Sequence, residues 1–181
     1  QRRQDELFWD DANAGWVSTT GRDPSVIARM KEDYDGAEPT ASSISVMNLL
    51  VLSQWQEDPS WTERIVRTLR LFGPRLEQIG RAVPMMAAAL STYSAGLQQV
   101  VIVGNPGATA LERTVALKYR PFVLTIAPSA GQQAALASVA PWIDAMQPVG
   151  GHAAAYVCRE FACQAPVTEP DALDAVLQNP A

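Results

Sequence analysis

The first half of the chain contains three long helical patterns that differ in where their apolar residues fall. From Ser42 to Gln56 apolar residues lie on nearly every face, which predicts a helix buried all round. Over residues 60–80 they recur at steps of three and four, with charged residues elsewhere, which predicts an amphipathic surface helix. Residues 84–95 are again mostly apolar, begin at a proline and close on Gly96. This alternation of inner, outer and inner helices predicts antiparallel pairs, in a helical-hairpin array or an α/α toroid.

The flanking segments carry weaker local signals. Residues 1–9 resemble the end of a helix, and residues 11–21 show the alternation typical of a short strand or hairpin arm. The sequence SVIARMKED, residues 25–33, is long enough for one helical turn. Ser60, with Glu63 three residues later, predicts the N-cap of the outer helix.

The second half changes to patterns typical of strands. Two β-branched runs, residues 97–104 and 120–128, flank a helical segment at 107–119. A crossover of that length is typical of a parallel βαβ unit. A third β run follows at 153–161, and a final helix is predicted from Pro170, with acidic residues in its first turn.

Composition restricts the classes of function. The chain has 181 residues, 48% of them hydrophobic, which is enough for a sizeable globular core. The net charge of −5 argues against nucleic acid as a partner, because phosphate binding needs a clustered basic patch. No apolar run reaches the roughly 18–20 residues of a membrane span. The N-terminus has no signal-peptide core and no starting Met, and it opens like the tail of a helix, so we expect a piece of a longer protein.

The acidic segment KEDYDGAEPT, residues 31–40, immediately precedes the predicted inner helix. Four of its ten residues are carboxylates, and Lys31 is its one cation. Two interpretations stay open at this point: a substrate-binding loop, or the acid and turn residues that favour the start of a helix.

Two other features could suggest a cofactor, metal or catalytic site, but their residue patterns do not support one. Gly104 and Gly107 flank a strand-to-helix turn that lacks both the three glycines of a dinucleotide site and the lysine of a phosphate loop. His152 is the one histidine of the chain and has no carboxylate near it in sequence, which favours a solvated loop residue. We therefore predict no cofactor and no metal site.

The two cysteines, Cys158 and Cys163, have C-x4-C spacing in an extended run. Along a strand that spacing covers roughly 16 Å, too far for a disulfide unless the chain reverses between them. We predict two free thiols, with a disulfide across a tight hairpin as the alternative. Few cysteines and no glycosylation sequon favour a reducing compartment, cytoplasmic or organellar.

Two long motifs, DPSVIARMKEDYDGAEPTASSISVMNLL and AAYVCREFACQAPVTEPDAL, resemble the spermatogenesis-associated protein 20 family, and the likeness extends from LFWD near the start to the tail. Members of that family resemble a thioredoxin-like domain followed by an (α/α)6 toroid similar to sugar 2-epimerases and six-hairpin glycosidases. The resemblance implies an α+β fold: residues 1–96 are the C-terminal hairpins of an incomplete toroid, about three helices, and residues 97–181 are a small α/β module.

In such a toroid the inner helices point their ends at a central cavity, so the resemblance implies that the acidic segment lies at its mouth. Tyr34, Asp35 and Glu38 are then the candidate ligand-binding residues, because acids accept hydrogen bonds from sugar hydroxyls and a ring stacks on a pyranose face. Paired carboxylates also cleave glycosidic bonds, but the catalytic residues stay unassigned.

Several positions depart from the family pattern. Ser42 stands where the family has Asn, and Ala14 and Trp16 stand where it tends to have Gly and Tyr. The histidines of the epimerases have no counterpart. These departures lower the expectation of catalysis by this chain alone. Two hypotheses follow: part of a carbohydrate-active-like scaffold, whose partner is the remainder of its own polypeptide, or a non-catalytic structural subunit bound to other proteins.

Overall fold

A computed structural model describes residues 1–105 and 107–178 of the chain and divides it into two compact units. The first unit comprises Gln1–Ser53 and Glu57–Ala95, and the second comprises Gln54–Gln56 and the chain from Gly96 onward. Helices dominate the first unit and a four-stranded sheet lies in the second, which confirms the α+β class.

The first unit contains four helices. They are α1 (Arg2–Phe8), α2 (Ala41–Leu52), α3 (Pro59–Ile79) and α4 (Pro84–Ala95), with a 3-10 turn at Gly80–Ala82. Helix α2 packs against both α3 and α4. The three long helices predicted from apolar periodicity are therefore present, and α4 ends at Gly96, whose φ of 72° is the left-handed conformation typical of a helix terminus.

Helix α2 ends at Leu52, four residues before the predicted end at Gln56. Val46 and Leu49 are fully buried, whereas Ile44 and Asn48 lie on a face that this chain leaves exposed. The predicted burial on every side is therefore not found within the chain itself.

Helix α3 buries one apolar stripe, as predicted. Trp61, Ile65, Leu69 and Phe72 face the core of the unit. Its N-cap is Asp58 rather than the predicted Ser60: the Asp58 side chain accepts from the Ser60 N–H at 2.9 Å, and Pro59 occupies the first helical position.

Two local predictions in the first unit are wrong. Residues 11–21 form no strand, since extended pairing is limited to one bridge between Trp9 and Trp16, and Ala14 and Gly15 adopt left-handed φ angles of 60° and 76°. Residues 25–33 form no helical turn. Both segments are short, and in short segments tertiary contacts, rather than local sequence preference, determine the backbone conformation.

The sheet of the second unit confirms the βαβ unit. Its strands are β1 (Gln98–Val103), β2 (Val123–Ile126), β3 (Ala154–Arg159) and β4 (Ala162–Cys163), in the order β2-β1-β3-β4. Strands β1 and β2 are parallel, joined through helix α5 (Ala108–Ala116), while β3 is antiparallel to β1 and β4. Helix α7 (Pro170–Gln178) starts at the predicted proline.

Each face of this sheet has its own apolar cluster. On one face α5 and α7 cover β1 and β3 through Leu111, Leu173 and Ile102. The opposite face is covered by Ile143 and Met146, against Val101 and Cys158. Helix α6 (Ala130–Leu136), which was not predicted, also lies in this unit.

The two cysteines form a disulfide, which corrects the prediction of two free thiols. Cys158 on β3 and Cys163 on β4 are directly paired across the strands, with their Cα atoms 3.9 Å apart. The chain reverses between them at Glu160 and Phe161, which adopt φ angles of 48° and 62°. The distance argument assumed an extended chain and fails because of this two-residue turn.

Within the part of the chain described here, no helix is long and apolar enough to cross a membrane.

Candidate functional site

Asp35 anchors the acidic segment to two helix starts. Its carboxylate is buried, and one oxygen accepts from the Thr40 N–H at 2.8 Å. The other oxygen accepts from the Met85 N–H, also at 2.8 Å, in the first turn of α4. The Asp35 N–H donates to the Ala82 carbonyl at 2.7 Å. Asp35 therefore holds the segment against the N-terminal ends of α2 and α4, where a negative charge is favoured.

Thr40 and Ser42 complete the start of α2. Thr40 is its N-cap, and its hydroxyl accepts from the Ser43 N–H at 3.0 Å. Ser42 does not cap the helix; its hydroxyl accepts from the buried Trp16 N–H at 3.0 Å. The Ser42 hydroxyl, at a position where the resemblance predicts Asn, thus serves as an acceptor.

Tyr34 and Glu38 lie on either side of the anchor, and both are exposed. The Gly36 N–H donates to the Glu38 carbonyl at 3.1 Å, which closes a tight turn between them. A Cβ at Gly36 would come within 3.2 Å of the Tyr34 ring, so the glycine leaves room for that ring. Of the three candidates, the structure thus buries Asp35 and presents the other two to solvent.

Two ion pairs fix the start of the segment. The Lys31 ammonium lies 2.6 Å from the Asp10 carboxylate, and both side chains are less than one-fifth exposed. The hydrogen bond from Lys31 holds the pKa of Asp10 well below its ordinary value. Arg75 on α3 pairs with Asp33.

An open cleft of about 440 Å³ lies between this part of the segment and α3. Its walls combine charged and apolar side chains, among them Lys31, Glu32, Asp33, Leu71, Phe72 and Arg75. A cleft of this size and mixed lining is within the range of small-molecule sites.

A second buried carboxylate, Asp5, was missed by sequence reasoning. It accepts from the Trp16 indole N–H at 2.8 Å and from the Arg64 guanidinium at 2.8 Å. A cleft of about 410 Å³ opens beside it, lined also by Trp9 and Trp61. No local spacing signals this group, since its charged partner lies 59 residues away.

The remaining candidate from the sequence is His152. His152 is exposed beside a turn. Within the described residues no group of three or more His, Cys, Asp or Glu side chains is arranged to hold a metal ion.

Comparison with known proteins finds relatives along nearly the whole chain. Spermatogenesis-associated protein 20 of Homo sapiens is 33% identical over 174 residues, which is 94% of this chain and 22% of the human protein. The Mus musculus protein of that name is 32% identical over 183 residues, 99% of this chain and 23% of its own length. An uncharacterised Caenorhabditis elegans protein is 33% identical over 168 residues, 92% of this chain and 23% of its own length. The chain thus spans less than a quarter of these curated relatives. No protein-family model and no solved structure matches it.

Proposed function

The chain is homologous to part of spermatogenesis-associated protein 20, and from that premise we propose that it forms the last helical hairpins of a six-hairpin α/α scaffold and an accompanying α/β module. In this proposal the acidic segment presents Tyr34 and Glu38 to a carbohydrate. The supporting observation is the anchoring of the segment by Asp35, whose carboxylate binds one backbone N–H at the start of α2 and one at the start of α4.

That anchoring favours binding over catalysis. Hydrolysis of a glycosidic bond by paired carboxylates needs two groups free to act on the substrate. Both Asp35 oxygens already accept backbone hydrogen bonds, whereas Glu38 is exposed and can accept from a sugar hydroxyl. Tyr34, 61% exposed, offers a ring for the pyranose face. A loop held in one conformation binds with less loss of conformational entropy.

The test is isothermal titration calorimetry, in which the full-length protein is titrated with mono- and oligosaccharides. We expect Tyr34→Ala and Glu38→Gln each to weaken binding about tenfold or more, equivalent to about 1.4 kcal/mol. Matched controls are Tyr119→Ala, a 92% exposed tyrosine of the second unit, and Glu57→Gln, an exposed acid outside the segment; both should leave the affinity unchanged. The proposal fails if no saccharide binds, or if the controls weaken binding as much as the segment variants.

A second candidate function, a non-catalytic structural subunit, is favoured by exposed apolar residues on α2 and α4. Ile44, Leu90 and Tyr93 are between 37% and 45% exposed. In this alternative another protein covers those residues. Mass spectrometry of the native protein distinguishes the two: a polypeptide of the relatives' length supports the scaffold, and a mature chain of this size held in a complex supports the subunit.

A further inference from the structure

The disulfide of the second unit joins two sulfur atoms in very different surroundings. Cys158 is 2% exposed and packs in the apolar cluster around Val101 and Ile143. Cys163, on the edge strand β4, is exposed. A thiolate from solvent therefore reaches the sulfur of Cys163 more readily than that of Cys158.

A buried amide faces Cys158 from the neighbouring strand. Gln99 on β1 is 2% exposed and is the direct cross-strand partner of Cys158, so the two side chains lie on the same face of the sheet. Its amide nitrogen donates to the Gln54 carbonyl, but among the described residues its side-chain oxygen has no hydrogen-bond partner. A buried acceptor without a donor is destabilising, and such groups are rare.

The disulfide cannot satisfy this oxygen, because neither of its sulfurs carries a hydrogen. A reduced Cys158 can do so, because its S–H is a donor at the strand position paired with Gln99, on the same face of the sheet. We propose that Cys158–Cys163 is a reversible redox centre that exchanges with thiols at Cys163, and that the Gln99 side-chain oxygen accepts a hydrogen bond from the Cys158 thiol in the reduced state.

The exchange balances with an external dithiol as reductant. A thiolate of the dithiol attacks Cys163 Sγ, a new S–S bond forms to that sulfur, and the protein disulfide breaks. The electron pair goes to Cys158 Sγ, which takes up a proton. The second thiol of the reductant then closes its own disulfide and expels Cys163 as a thiolate, which is protonated. The protein disulfide is reduced to two thiols, and the dithiol is oxidised to one disulfide.

A cleft beside the disulfide can admit the reductant. It has a volume of about 350 Å³ and is lined by both cysteines, Gln98, Arg159 and Gln164. These polar side chains suit a hydrophilic thiol rather than an apolar one. Burial of Cys158 opposes a charged sulfur there, so protonation must accompany its departure. We therefore expect slow, pH-dependent exchange rather than the rapid turnover of a dedicated thiol oxidoreductase.

The equilibrium test uses the intact full-length protein in dithiothreitol redox buffers, with differential alkylation and peptide mass spectrometry at Cys158 and Cys163. We expect the wild-type disulfide to be reduced reversibly while the protein stays folded by circular dichroism. Gln99→Met removes the acceptor at similar volume and should shift the equilibrium about tenfold toward the disulfide. Thr68→Val is the control: it removes another buried side-chain oxygen that has no hydrogen-bond partner among the described residues, but on α3 of the first unit, and it should shift the equilibrium less than twofold.

A second measurement is independent of that variant and tests the site of attack. In Cys158→Ser the free Cys163 should react with glutathione disulfide at least tenfold faster than the free Cys158 of Cys163→Ser. Equal rates would overturn attack at Cys163. A wild-type disulfide that resists reduction until the protein unfolds would overturn the redox centre, and equal shifts in Gln99→Met and Thr68→Val would overturn the role of Gln99.

Discussion

At the scale of single residues, Asp10 and Lys31 show how the acidic segment is held. Their 2.6 Å ion pair is partly buried and joins the turn after α1 to the start of the segment. The pKa of Asp10 lies well below its ordinary value in the folded state because Lys31 donates to its carboxylate. The pair therefore stabilises the fold only while Asp10 is ionised.

We predict that Lys31→Met lowers the free energy of unfolding by about 1–2 kcal/mol at pH 7. A carboxyl group whose pKa is lowered by folding stabilises the folded state when the pH is above the pKa of the unfolded state, near 4. This stabilisation is lost as the pH falls toward the pKa of the folded state. The difference in the free energy of unfolding between the wild type and Lys31→Met should therefore decrease below about pH 4. Urea unfolding at pH 7, 5 and 3 measures it.

The control for that prediction is Arg3→Met, which breaks the exposed Arg3–Glu6 pair and should cost less than about 0.5 kcal/mol. An effect of Lys31→Met that is as large at pH 3 as at pH 7 would contradict the prediction, since it would then arise from packing and not from the ion pair.

The sequence placed acids before a helix start but could not assign their partners. The carboxylate of Asp35 binds the N–H of Met85, 50 residues away, and no local spacing indicates that contact. The departure at Ala14 is clearer with the structure in hand. Its φ of 60° is a left-handed conformation that favours glycine, the residue expected there from the resemblance.

At the scale of elements, long periodic segments were predictable and short ones were not. Helices α3 and α4 and strand β1 have patterns that run through the whole element and agree with the structure. Helix α6 has seven residues and was missed, although Ser129 and Gln132 form a capping box that could have indicated it. The β3–β4 turn was considered only as the alternative, because Glu160 and Phe161 are not typical residues for positive φ, and the preferred prediction of two free thiols was therefore wrong.

The start of α3 supplies a prediction about one element. The Asp58 carboxylate accepts hydrogen bonds from the Ser60 hydroxyl and from the Ser60 N–H. Both bonds lower the pKa of Asp58, and the bond from the hydroxyl has the larger effect. Asp58→Ala should therefore destabilise the first unit by about 1 kcal/mol, as expected for loss of an N-cap. Ser60→Ala, which keeps the backbone donor, should cost less than half as much. Thermal melts of the two variants measure the difference, and a larger loss in Ser60→Ala would restore Ser60 as the dominant cap.

At the scale of the whole molecule, this chain covers less than a quarter of the length of its curated relatives. Helices α2 and α4 expose Ile44, Leu90 and Tyr93, although their sequences are apolar on nearly every face. Helical hairpins stacked in an array bury such faces on their neighbours. Under the scaffold proposal, further hairpins of a longer polypeptide would cover these residues.

The last prediction concerns two substitutions that should improve the isolated chain but destabilise the full-length protein. Expressed alone, residues 1–181 should melt without a sharp transition and bind a hydrophobic dye, because the apolar faces stay open. There, Ile44→Gln and Leu90→Gln should reduce dye binding and improve solubility. In the full-length protein the same changes should lower stability by about 1–3 kcal/mol each, since the residues are then buried.

Ile27→Gln is the matched control, because that side chain is fully exposed and should be neutral in both contexts. If the isolated chain is a soluble monomer with a sharp two-state transition and no dye binding, it is a self-sufficient domain and the scaffold proposal loses its main argument. If the two variants stabilise the full-length protein as well, the faces of α2 and α4 stay open there too, and a separate partner protein becomes the better explanation for them.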